Sequence, residues 1–324
     1  MNERVFAWFS SKDRCRRFIR RSSTLAFVTM ILLWVASIIF LPGFNTFSHN
    51  NTMLQTASFL GLVVIGQAIV VISGGIDMSV SSIVTLSSVT ASACIQAGFG
   101  PLAAILAALG VSALVGFVNA SCINWLLVPP VIMTIAMMSL IQGILLVLTN
   151  GTPPSGSGTV IQGMSNGEFL GLKNAIWIWI LALIFAILFM TKSKFGRHIY
   201  AIGTNEGASR LSGVSLFHTK YLAYILSGLS SGLAGILILG HMGNTYLTIG
   251  DPYQGFSIQA VVIGGISILG GKGKYAGIIA GSIMVVMISN ILNVISMSAA
   301  GREIFQGVLI LLILLAYGRE KAGR

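Results

Sequence analysis

GLVVIGQAIVVISGGIDMSVSSI, residues 61–83, is an apolar run, a short polar turn and the start of a second run. The first run extends back to Met53, giving a segment over 53–73 with no charged residue. Roughly 20 such residues cross the hydrocarbon core of a bilayer. The second segment, over 78–97, is rich in Ser and Thr. Between them lies Asp77, with no other acid between residues 14 and 167. An ionisable group at a membrane span marks a candidate functional site. Gly74 and Gly75 can break the helix there, so that backbone groups and Ser79 line a cavity. A plainer reading also stands: Asp77 caps a helix starting near Met78 in a short inner turn, near the membrane interface rather than its midplane.

Outward from this stretch the same pattern repeats. Apolar segments run over about 24–41, 53–73, 78–97, 101–127, 131–149, 175–191, 220–240, 256–269, 275–296 and 304–318. They predict an all-α integral membrane protein, a bundle of about ten transmembrane helices, with eight also possible. Composition agrees: 55% of the 324 residues are hydrophobic, and only 8% are charged against about 25% in a soluble domain. So few charges cannot cover a water-facing surface. Much of the exterior is expected to meet the lipid bilayer.

Charge sets the orientation. With the N-terminus inside and ten spans, 17 of the 19 basic residues fall in cytoplasmic gaps and tails, and only Lys173 and Arg302 fall outside. The chain then divides into a basic cytoplasmic tail (1–23), a transmembrane domain (24–318) and a cytoplasmic tail (319–324), with both termini cytoplasmic. The run 25–41 is long for a signal peptide and lacks an A-x-A-like cleavage site, so it reads as a retained first helix. The net charge of +11 reflects this gap distribution rather than a basic stripe, which argues against nucleic acid as a partner.

The three cysteines, Cys15, Cys94 and Cys122, have no metal or redox spacing. GGKGK (270–274) looks like a phosphate loop only superficially. A Walker A motif needs G-x-x-x-x-G-K-[ST], but Ile268 and Tyr275 occupy the flanking positions. There is no H-E-x-x-H motif, so neither a catalytic residue nor a metal ligand is assigned. No cofactor is expected on this chain.

Two soluble stretches draw attention. The inner loop 192–219, KSKFGRHIYAIGTNEGASRLSGVSLFHT, predicts a short amphipathic helix after a basic turn. Thr204 or Asn205 can cap it, and Glu206 favours its first turn. Glu206 and Arg210 stand at i,i+4 for a surface ion pair. Ala208 and Leu211 form a small apolar stripe, and Gly213 stops the helix. Such a helix either lies on the membrane surface or docks a cytoplasmic partner. The outer connection HMGNTYLTIGDPYQGF (241–256) offers Asn244, Tyr246, Asp251 and Tyr253 to a hydroxylated ligand or a periplasmic protein, or is a solvated loop. The outer loop 150–174 reads as irregular from its Gly, Pro and Ser. Gly228 with Gly232, and Gly277 with Gly281, read as sites of close helix packing.

Five stretches in order carry a family resemblance. They are residues 61–83, PPVIMTIAMM (129–138), SKFGRHIYAIGTNEGASRLSGV (193–214), YILSGLSSGLAG (224–235) and AVVIGGISILGGKG (260–273). The chain from about residue 55 resembles bacterial sugar ABC importer permeases of the ribose, xylose and arabinose type. GGIDMSVS stands for the family's G-G-I-D-L-S-V-G, with Ser81 at the last position. Val131 stands where an aromatic commonly follows P-P, and Gln254, Gly255 and Phe256 replace an E-L-D. These departures bear on the substrate rather than the class.

The resemblance implies an inner-membrane permease that pairs with a second permease subunit, identical or paralogous. It implies a cytoplasmic ATP-binding subunit that uses ATP and Mg, and a periplasmic solute-binding protein. The segment Glu206–Gly213 resembles the coupling helix that fits a groove of the ATPase. The competing class is an ion-coupled secondary transporter or channel, which expects intramembrane carboxylates or inverted repeats with broken helices.

Overall fold

The computed structural model describes residues 22–41 and 43–322. Most of the predicted basic tail therefore lies outside the described residues. The elements are α1 (Ser22–Phe40), α2 (Phe47–Ile72), α3 (Val80–Gln96), α4 (Pro101–Trp125), α5 (Pro130–Thr149), α6 (Gly158–Asn166), β1 (Glu168–Phe169), β2 (Leu172–Lys173), α7 (Asn174–Lys192), α8 (Lys194–Thr204), α9 (Glu206–Leu211), α10 (Leu216–Met242), α11 (Asp251–Ile263), a 3-10 turn (Tyr275–Gly277), α12 (Ile278–Val294) and α13 (Ala299–Ala322). Among the described residues, six helices are long and apolar enough to cross a membrane: α2, α4, α5, α7, α10 and the turn-plus-α12 unit. Shorter apolar helices form at α1 and α3.

Burial sorts these helices. The most apolar window of α2 is almost wholly buried within the chain. A helix that is apolar all round belongs at the centre of a bundle. Thr46 starts α2, its hydroxyl accepting the His49 N–H. Packed on α2 are α10, α12, α11 and α7, with α8 beside them, while α3 packs on α10 and α4. By contrast, α4, α5 and α7 turn large apolar side chains outward, among them Leu102, Leu106, Leu140, Leu146, Leu181 and Phe185. Those side chains suit a lipid surround.

Small residues set the closest contacts. A Cβ on Gly228 or Gly116 would run into the Ser112 or Tyr224 carbonyl across the α4–α10 seam, and one on Gly281 into the Ala260 carbonyl. Without water to drive apolar association, such backbone approach is how helices pack in lipid. This is the role expected of the Gly228–Gly232 and Gly277–Gly281 pairs.

Several expectations change. The eighth predicted span, 256–269, is helical from Asp251 to Ile263. It starts early because Pro252 seeds its first turn, and it ends at the Gly264–Gly265 pair, where Gly265 has φ 86°. The fold is not purely helical, since Glu168–Phe169 pairs antiparallel with Leu172–Lys173. The predicted irregular outer loop holds this hairpin and α6. In the inner loop, the basic turn expected before the short helix is itself helical, as α8.

Candidate functional site

The stretch quoted at the outset makes a true helix break. The chain leaves α2 at Ser73, turns at Gly74 (φ 90°) and re-enters helix at Val80. Asp77 sits inside the break, 1% exposed. Its Oδ1 accepts the Ser79 N–H at 3.0 Å and the Ser79 hydroxyl at 2.6 Å. Its Oδ2 accepts the Ser227 hydroxyl of α10 at 2.8 Å. Ser79 in turn accepts Asn119 Nδ2 of α4 at 2.9 Å. Thr134 of α5 accepts the Met78 N–H at 3.0 Å and reaches the Ile76 carbonyl at 3.2 Å. Asp77 holds Ser79, the residue that precedes α3, and is the buried hub where the break, α4 and α10 meet. Among the described residues, no salt bridge reaches it.

From this hub a polar stripe descends one face of α10. Ser231, Ser227, Tyr224 and Lys220 follow at spacings of four, three and four, which stack on one helix face. Ser231 Oγ and the Tyr224 hydroxyl are buried without a hydrogen-bond partner among the described residues, as are Ser81 Oγ, Asn119 Oδ1 and both ends of the Gln67 amide. Unpaired buried polar atoms are few in native proteins, and each asks for an explanation. The Tyr224 ring fits because residue 75 is glycine; a Cβ there would lie 2.7 Å from its hydroxyl. Below Tyr224, a cavity of about 240 Å³ opens among Gly74, Gly75, Pro129, Pro130, Glu206 and Lys220. The stretch GLSSG (228–232) has the spacing of a serine-hydrolase elbow. It lies within continuous α10, where no strand-to-helix turn presents Ser230.

The stripe ends on the inner loop. Asn205 caps α9 by accepting the Ala208 N–H at 2.9 Å, while Thr204 closes α8. Glu206 does not pair with Arg210 as the spacing predicted. Its carboxylate accepts Lys220 Nζ at 2.7 Å, because α10 runs alongside and offers a partner held by another helix. Ala208, Arg210 and Leu211 are exposed, Leu211 at 92%, and Gly213 ends the helix with φ 79°. Behind α9, α8 is clasped to the end of α2. Gly203 lies against the Ile72 carbonyl so closely that a Cβ would overlap it, and the Gly271 N–H donates to that carbonyl at 2.8 Å. The Tyr200 hydroxyl donates to the Gly273 carbonyl at 3.0 Å. Burial raises the Tyr200 hydroxyl above its ordinary pKa, which keeps the donor proton in place. GGKGK is thus the clasp that ties the inner loop to the helix break.

A protein-family model described as "branched-chain amino acid transport system / permease component" matches residues 51–314, which include the break, the stripe, the clasp and the outer connection. The chain belongs to this permease family. It is 32% identical to the ribose import permease protein RbsC of Escherichia coli K12 over 284 residues, covering 86% of this chain and 88% of that protein. The ribose import permease of Bacillus subtilis is 32% identical over 298 residues, 91% and 92% of the two chains. The L-arabinose transport system permease protein AraH of E. coli K12 is 32% identical over 296 residues, 91% and 89%. The sequence resemblance to sugar importer permeases stands, and the molecule is a multi-pass membrane permease.

In this permease the outer residues are not brought into one site. Asn244, Tyr246 and Asp251 are exposed, while Tyr253 packs inward against the core. Asn244 accepts the Gly156 N–H at 3.1 Å, tying the connection to the outer loop. Asp251 and Tyr253 belong to the first turn of α11 rather than to a loop. Sequence reading missed Gln67, Asn119, Tyr224, Ser227 and Ser231. For three of them the signal was present, as polar residues at helical spacing along one face within an otherwise apolar span.

Proposed function

We propose that this chain is the membrane-spanning subunit of an ATP-driven, binding-protein-dependent importer for a pentose sugar or a similarly hydroxylated solute. The carrying observation is the stripe that joins Glu206 on α9, through Lys220 and Tyr224, to Ser227 and Asp77. A push on α9 from a cytoplasmic partner reaches the helix break along one rigid helix. An ATP-binding subunit using ATP and Mg seats Leu211 and Arg210, and this chain holds no nucleotide of its own. A solute-binding protein delivers its load at the outer end, touching Asn244, Tyr246 and Asp251. Two permease subunits stand side by side in the bacterial inner membrane. Each has ten spans and cytoplasmic termini, in line with 17 basic residues inside and two outside.

The test is reconstitution of the chain with its ATP-binding subunit and solute-binding protein in proteoliposomes. Uptake of labelled D-ribose and L-arabinose is measured against labelled leucine. Pentose uptake that requires ATP and the binding protein supports the reading. Leucine uptake alone replaces the substrate class. Uptake by the isolated chain under an ion gradient without ATP overturns the mechanism in favour of a secondary transporter.

A further inference from the structure

Five cations gather at the inner end of the bundle with no acid to meet them. Lys192, Lys194, Arg197, Lys272 and Lys274 are exposed and form no ion pair among the described residues. Glu206 is the only acid within 192–219 and 270–274, and Lys220 already holds it. The fold brings the two stretches together. A Cβ on Gly196 would overlap the Met190 carbonyl, so α8 folds tightly back on the end of α7. The Tyr200 hydroxyl donates to the Gly273 carbonyl, which sets Lys272 and Lys274, on either side of Gly273, beside α8. On α8 itself Lys194 and Arg197 stand at i,i+3 on one face, while Ile199 and Ile202 are buried.

The depth of this patch points to its counterion. Helix α7 has 19 residues, a length of about 28 Å at 1.5 Å per residue. That matches the hydrocarbon core of a bilayer, about 30 Å thick. Lys192, its last residue, therefore emerges at the level of the lipid headgroups. Leu181, Phe185, Leu188 and Lys192 follow at spacings of four, three and four, and all are exposed. They share one helix face, so a lipid-facing apolar stripe ends on a cation. A phospholipid laid along this stripe carries its phosphate to Lys192 and to its neighbours on α8. Lys and Arg clustered at that level are the pattern that recognises anionic headgroups. A protein partner in water would meet the charges but not the stripe that leads into them.

We propose that the end of α7, α8 and the 270–274 clasp form a seat for an anionic phospholipid. Its phosphate is held by Lys192, Lys194 and Arg197, with Lys272 and Lys274 closing the other side. The seat bears on the helix break, because α8 and the clasp both meet the Ile72 carbonyl, through Gly203 and Gly271. A lipid that bridges them holds the clasp shut. The seat belongs to this chain alone and does not depend on what the permease carries.

The test purifies the full chain from native membranes in a mild detergent and quantifies the bound phospholipid by mass spectrometry. The parent is expected to retain phosphatidylglycerol several-fold over its share of the bulk membrane. Lys194→Gln with Arg197→Gln is expected to lose most of that enrichment. Lys194→Arg with Arg197→Lys keeps the charges and is expected to keep the lipid. Lys173→Gln, a charge removed at the outer end, is expected to change nothing. In phosphatidylcholine vesicles, added phosphatidylglycerol is expected to slow chymotrypsin cleavage of the inner loop in the parent but not in the Gln pair. Equal enrichment in the parent and the Gln pair overturns the seat. An equal loss in Lys173→Gln also overturns it, since net charge rather than a site would then govern binding. Loss of a co-purifying ATP-binding subunit from the Gln pair, with lipid enrichment unchanged, would assign the patch to that protein instead.

Discussion

The Ser227 hydroxyl donates to Asp77 Oδ2 at 2.8 Å, joining two residues 150 positions apart. This bond ties α10, which reaches the inner loop, to the break between α2 and α3. Ser227→Ala deletes it and leaves Oδ2 short of a donor, an effect of about 1–3 kcal/mol on stability. Asp77→Asn keeps the shape and an acceptor for Ser79. Its level in membranes is expected to match the parent, while ATP-driven uptake falls roughly tenfold, about 1.4 kcal/mol on the barrier. Unchanged uptake in Asp77→Asn would remove the break from the mechanism.

Glu206 and Lys220 make a directional prediction of a different kind. The pair is half exposed on its acidic side, so it adds only about 0–1 kcal/mol to stability. Its value lies in joining α9 to α10. Glu206→Lys alone is expected to leave thermal unfolding unchanged and to lower solute-stimulated ATP hydrolysis by the assembled importer. The exchange Glu206→Lys with Lys220→Glu is expected to recover most of it. Arg210→Glu changes a side chain that makes no hydrogen bond or ion pair among the described residues, and so separates a role inside the permease from one at the ATPase.

Two glycines of the inner loop are expected to behave oppositely. Gly203→Ala forces a methyl into the Ile72 carbonyl, whereas at Gly207 the nearest atom to an added Cβ is Asn205 Oδ1 at an ordinary 3.5 Å. Gly203→Ala should open the clasp, expose the inner loop to limited proteolysis and abolish uptake. Gly207→Ala should fold and transport like the parent. Equal protease resistance in the two variants would show that the clasp does not hold the loop.

Leu211 is 92% exposed, so Leu211→Ala removes almost no packing, and its effect on stability is expected within about 0.5 kcal/mol. Co-purification with the ATP-binding subunit should nonetheless drop sharply. Full recovery of the complex would place the docking surface elsewhere on the inner loop.

The apolar runs made the membrane class and most spans legible, because a bilayer demands continuous apolar length whatever the neighbours. Capping chemistry was legible too: Asn205 and Gly213 bound α9 as their local preferences dictate. Where partners lie far apart in sequence, local rules misled. Glu206 had Arg210 at the right spacing, yet it pairs with Lys220 on another helix.

By itself, the sequence determined that this chain crosses a membrane many times, that an apolar run ends just before Gly74–Gly75 and that Asp77 is the lone acid between residues 14 and 167. Only the tertiary structure decided what Asp77 meets. Its carboxylate accepts from Ser227, and Asn119 donates to its neighbour Ser79; no local rule names either long-range bond. Likewise, GGKGK looked like a failed phosphate loop until its backbone was seen to hold Ile72. A hydrogen bond between distant segments depends on how helices pack, and which carbonyls the packing glycines approach becomes visible only once the bundle is assembled.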